Sequence, residues 1–198
     1  MHAFPETCWF MLYYFLCDMW DILRLRYKNP ADYRYPFIVA AAVLLLIGLV
    51  NAASTALLFG KSPAVVALTV LLTVLKCAVL SLVMGRMLPH GKTKLPMWGF
   101  VLASEALSVP LLVLFYAPAL AAAGMFWQIW IFVAQAVGFI RMSGRPGWRV
   151  MSAYLVYAVL TVIAGSALLT AAAQTGLIDL DALAGQAKVM LESGPQAR

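Results

Sequence analysis

Long unbroken apolar runs alternate with short polar connections along this chain. Five runs, Pro36 to Phe59, Pro63 to Met87, Pro96 to Ala117, Ala119 to Ile140 and Val150 to Ala173, carry the pattern. Each matches the ~20 helical residues needed to cross a hydrocarbon core of ~30 Å at ~1.5 Å per residue. Barrel strands would be about ten residues long and would alternate inward and outward positions, which these runs do not. The pattern predicts an all-α fold: a polytopic transmembrane helical bundle of about five spans, over residues 36–173.

Proline punctuates this plan. Pro36, Pro63 and Pro96 fall where a helix begins and a missing N–H costs little, and Pro118 marks a tight turn between the third and fourth runs. Pro110 lies inside the third run, where it should remove a backbone hydrogen bond and kink the helix.

The flanks differ from the bundle. In residues 1–35 the apolar stretch Cys8 to Cys17 is too short to span, and it is followed by Asp18, Asp21, Arg24 and Arg26. With Trp9, Phe10, Tyr13, Tyr14, Phe15 and Trp20 it suits a helix lying in the cytosolic membrane interface, or one packed against that end of the bundle. Residues 174–198 turn polar, and Leu177, Ile178, Leu180, Leu183, Ala184 and Ala187 are spaced for a short amphipathic helix.

Composition agrees with a membrane setting. The 198 residues are 64% hydrophobic and 11% charged, whereas soluble domains run nearer half apolar and a quarter charged. The net charge of +6 does not point to nucleic acid, because the basic residues sit in clusters beside apolar runs and form no stripe with interleaved aromatics. Those clusters predict orientation. Arg24, Arg26, Lys28, Arg34, Arg86, Lys92, Lys94, Arg141, Arg145 and Arg149 flank one side, against Lys61, Lys188 and Arg198 on the other. The positive-inside rule then puts the N-terminus in the cytosol and the C-terminus outside. The N-terminus lacks the basic region of a cleavable signal.

Candidate chemistry is sparse. Cys8, Cys17 and Cys77 have no paired zinc-type spacing, and the two histidines, His2 and His90, offer little to a triad or a metal cluster. Gly91-Lys92-Thr93 and Gly60-Lys61-Ser62 resemble the end of a phosphate loop but lack its first glycine and its strand-to-helix setting. Asp18 and Asp21 share a helix face, and with Arg24 and Arg26 close behind they read as a solvated charge cluster. No cofactor, metal or catalytic residue is expected, and no enzyme class.

The intramembrane polar residues are more informative. Asn51, Lys76, Glu105, Gln128 and Gln135 fall inside the apolar runs. A charged group in a span costs about 2.5 to 3.5 kcal/mol on insertion scales, so Lys76 and Glu105 are expected to face each other. They are read either as glue between helices or as part of an ion or proton path, and the helix-glue reading comes first.

Trp127-Gln128-Ile129-Trp130 through Val137-Gly138-Phe139, then a basic turn from Arg141 to Arg149 into the last run, resemble the Yip family of five-span membrane proteins and its bacterial relatives. The Asp-Leu-Tyr-Gly-Pro type segment of the eukaryotic members is not found before the first run. The resemblance implies a non-enzymatic scaffold or adaptor of a bacterial inner membrane, whose partners are lipids and other membrane proteins or further copies of itself. The rival expectation is a small transporter or channel subunit that uses Lys76, Glu105 and the kink at Pro110.

Overall fold

A computed structural model describes residues 5–59, 63–88, 97–112 and 121–175. The amphipathic helix expected after Gly176, the turn at Pro118 and both lysine-containing loops lie outside the described residues. Among the described residues all regular structure is helical: α1 (Pro5–Leu23), α2 (Phe37–Phe59), α3 (Pro63–Met87), α4 (Trp98–Ala106), α5 (Ala121–Ser143) and α6 (Gly147–Gln174), with a 3-10 turn at Pro30–Asp32. Three of these, α3, α5 and α6, are long and apolar enough to cross a membrane, and α2 is apolar over its described stretch Phe37–Ala53.

The third apolar run behaves differently from a simple kinked helix. Its α-helical bonding stops at Ala106, and the chain continues through i to i−3 bonds from Ser108 to Glu105, Val109 to Ala106, Leu111 to Ser108 and Leu112 to Val109. Ala106 is four residues before Pro110, and the proline ring clashes with the carbonyl at that position while offering it no N–H. Tightening into 3-10 turns re-satisfies the neighbouring carbonyls at the cost of α geometry.

Helix α4 is the centre of the bundle. From Gly99 to Ala106 every side chain but Glu105 is buried, and the helix packs against α1, α2, α3 and α5. Around it α2 lies along α3, and α6 closes on α3 and α5. Close approach is built into the sequence at two positions. A Cβ on Gly99 would overlap the backbone carbonyl of Tyr33, and one on Gly138 would overlap the Phe100 ring. Phe100 in turn stacks edge-on with Tyr27, Tyr33 and Phe139, at centroid separations of 6.1, 5.6 and 5.1 Å.

Helix α1 packs on the bundle with one face and exposes the other. Phe15, Asp18 and Ile22 are buried at helical spacing, while Leu12, Tyr13, Leu16 and Trp20 remain exposed. It ends with Leu25 in the left-handed region (φ 60°), the Leu25 N–H donating to the Ile22 carbonyl at 2.9 Å and the Arg26 N–H to the Asp21 carbonyl at 2.8 Å. That paired pattern is a Schellman ending with leucine where glycine is usual. The turn aims residues 24–35 back across the bundle: Trp130 Nε1 donates to the Leu23 carbonyl at 3.2 Å, and the Tyr27 hydroxyl to the Ala134 carbonyl at 2.7 Å.

Asp18 departs from its sequence reading as a solvated group. It is 6% exposed and accepts from Lys28 Nζ at 2.6 Å and from the Tyr35 hydroxyl at 2.8 Å. Asp21 is 3.6 Å from the same ammonium. The partner is Lys28 because the turn at Leu25 reverses the chain, which local spacing along α1 cannot reveal.

Candidate polar cavity between the helices

A partly open cavity of about 380 Å³ lies between the helices, and all five polar residues singled out in the apolar runs line it: Asn51 from α2, Lys76 from α3, Glu105 from α4, and Gln128 and Gln135 from α5. At ~30 Å³ per molecule that volume is the room of roughly a dozen waters. Apolar side chains, among them Leu80, Ile131 and Phe132, complete the wall.

Glu105 is the hub. Its Oε2 accepts from Lys76 Nζ at 2.9 Å, and its Oε1 accepts from Gln135 Nε2 at 3.3 Å. The same Gln135 nitrogen donates to Ser104 Oγ at 2.9 Å, and Gln135 Oε1 accepts from the Tyr154 hydroxyl of α6 at 2.8 Å. Four helices are thereby tied through one carboxylate. Asn51 forms a second link, with Nδ2 donating to Thr73 Oγ1 of α3 at 3.1 Å.

The two charges are not equally placed. Glu105 is recessed, with its side chain 13% exposed, whereas the Lys76 side chain is 42% exposed and opens onto the cavity. A lysine ammonium carries three donors, and a single described carboxylate engages this one. Gln128 is exposed at the cavity wall.

Local sequence explains this arrangement. Lys76 and Glu105 lie at comparable distances from the ends of α3 and α4 that share a connection, so antiparallel packing brings them level. Pro110 lies one and a third helical turns beyond Glu105, where the chain is already in 3-10 geometry. The Ser108 hydroxyl, at the cavity wall, donates to the Glu105 carbonyl at 2.6 Å.

Sequence reading missed Ser104, Ser108, Thr73, Tyr154 and Tyr157, of which Ser108, Tyr154 and Tyr157 line the cavity. Hydroxyl residues are common in apolar helices, where serine and threonine bond their own backbone, so they give no signal by type. Tyr154 and Tyr157 are three apart, about two to three turns into α6 and away from the usual aromatic belt at a helix end, and that spacing is the signal that could have found them.

Comparison of the chain with protein-family models, with curated proteins and with solved structures gives no match in any of the three.

Proposed function

We propose that this chain is a multi-pass membrane protein that binds a small polar solute in its intramembrane cavity, as a transporter or channel subunit. The observation that carries this reading is that the Lys76–Glu105 pair, 2.9 Å apart, opens on a cavity of about 380 Å³ and is not sealed between packed helices.

Energetics favour it over helix glue. Two charges cost about 5 to 7 kcal/mol to insert at roughly 2.5 to 3.5 kcal/mol each. Interhelical hydrogen bonds in membranes return about 0.6 kcal/mol on average. A charged network is therefore an expensive way to hold four helices, and its placement around an open cavity points to use.

The reading includes five spans, with α2 and the third run added to α3, α5 and α6, and an N-terminus in the cytosol. Supporting the orientation, Arg141 reaches the Leu25 carbonyl at 3.4 Å, so the basic residues before α2 and those after α5 gather at one end. A bacterial cytoplasmic membrane and a non-enzymatic role rest on the Yip-like pattern. That pattern also favours a second reading, a scaffold for membrane partners or for further copies, and the broad exposed apolar face of α6, including Leu155, Val162 and Ile163, supplies surface for it.

Flux separates the two. Purified protein in liposomes of bacterial lipid, tested with a panel of labelled lactate, choline and glycerol, should accelerate entry of at least one solute above protein-free liposomes. No acceleration of any would leave the scaffold reading.

A further inference from the structure

We infer that the cavity takes a small monovalent organic anion, such as a monocarboxylate, and that Glu105 takes up one proton as the anion binds. The inference rests on the solute-binding reading above and names its substrate class.

The cavity presents its charges asymmetrically. Both line it, but the Lys76 side chain is the more exposed, while the Glu105 carboxylate is recessed and already accepts from Lys76 and Gln135. A cation entering the cavity would meet the lysine first. An anion would meet a donor, and the wall amide of Gln128 adds another. One ammonium balances one negative charge, so a dianion would be left uncompensated in a low-dielectric site. Leu80, Ile131 and Phe132 in the same wall suit a short apolar body behind the carboxylate.

Charge balance supplies the proton. With Lys76 and Glu105 ionised, the pair is neutral, and a bare anion would leave the site with one net negative charge and two carboxylates competing for one ammonium. If Glu105 gains a proton on Oε2, the Lys76 N–H that it accepted turns to the incoming carboxylate. The site again holds one positive and one negative charge. No bond other than that O–H forms, and nothing is oxidised or reduced.

Among the groups facing the pair, Glu105 is the one with a free place for that proton. Ionisable groups that sense its charge are Lys76 and Cys77 on α3 and Tyr154 and Tyr157 on α6. From α2 and α5 come the neutral amides of Asn51 and Gln135. The acids of α1, Asp18 and Asp21, are engaged with Lys28. Lysine, cysteine and tyrosine would each have to lose a proton, so the carboxylate is the one group here that can gain one.

Calorimetric titration of the detergent-purified protein with lactate, in phosphate and in Tris at one pH, tests this. The heats should differ between buffers by the amount for about one proton taken up per lactate, and affinity should rise about tenfold for each unit that pH falls, as one-proton linkage requires. Glu105→Gln, which mimics the protonated acid, should bind lactate with heats independent of buffer and affinity independent of pH. If that variant fails to fold, the two-buffer result on the unaltered protein decides alone. Lactate binding with no proton uptake overturns the role of Glu105. Choline or glycerol binding or crossing where lactate does neither overturns the anion assignment while leaving the solute-binding reading in place. If no solute binds or crosses, both fall.

Discussion

Glu105 and Lys76 are not interchangeable losses. Removing lysine leaves a recessed carboxylate with only Gln135 to face it, whereas removing glutamate leaves an ammonium already turned toward the cavity. Breaking a buried pair costs roughly 3 to 5 kcal/mol, and replacing both members by apolar residues is often near neutral. Lys76→Met should therefore fall in that range, Glu105→Leu below it, and the double variant near wild type. Thermal denaturation in detergent measures all three, and equal additive losses without rescue would reject the coupling. The depth match of these two charges was legible from their distances to the helix ends. Gln135 was legible as a polar residue but not as the link from Glu105 to Tyr154, because that link depends on the rotation of α5 and α6 about their axes, which continuous apolarity leaves unspecified.

Among the elements, α3 coincides with its apolar run, and α2, α5 and α6 begin or end within a few residues of theirs. Hydropathy and first-turn prolines suffice for that, since each helix satisfies its own backbone. What they could not convey is the order of burial: α4, the shortest main helix, is the most enclosed. Gly99 is the residue that permits it, since the Tyr33 carbonyl occupies the place of its side chain. Gly99→Ala forces backbone apart and should lower stability by about 1 to 3 kcal/mol or more. A melting temperature unchanged from wild type would contradict the packing of residues 24–35 on α4.

That same segment should come loose in alkali. The Asp18 bond, opposed by partial burial, raises the Lys28 pKa above its ordinary 10.5. Burial lifts Tyr33 and Tyr35 above the ordinary tyrosine value, and Tyr27 is pushed up to about 12. Each folded value lies above the unfolded one, so the stabilisation is fully present below about pH 10 and is lost as pH rises through the folded values. The Lys28 share is small, about 1 kcal/mol at most, because its side chain is 45% exposed. Tyrosinate absorbance should therefore rise late and together with protease sensitivity of residues 24–35. Titration of all four groups at their ordinary values, without loosening, would contradict the clasp.

At the scale of the whole molecule, membrane topology and the cavity belong together, because the proposed five-span arrangement would place Lys76 and Glu105 at mid-depth. A cysteine introduced at Ser193 should label only from the outside of intact cells, and labelling only from the cytosol would overturn the orientation or the span count. Charge clustering is the basis of the proposed orientation, whereas the cavity was not legible in the sequence, since a void is a property of three-dimensional packing. Flux through proteoliposomes carrying the Lys76→Met/Glu105→Leu double variant decides between path and glue. A protein that melts near the wild-type temperature but moves no more solute than empty liposomes is the expected result. Wild-type flux from the folded double variant would contradict a transport role for the cavity charges.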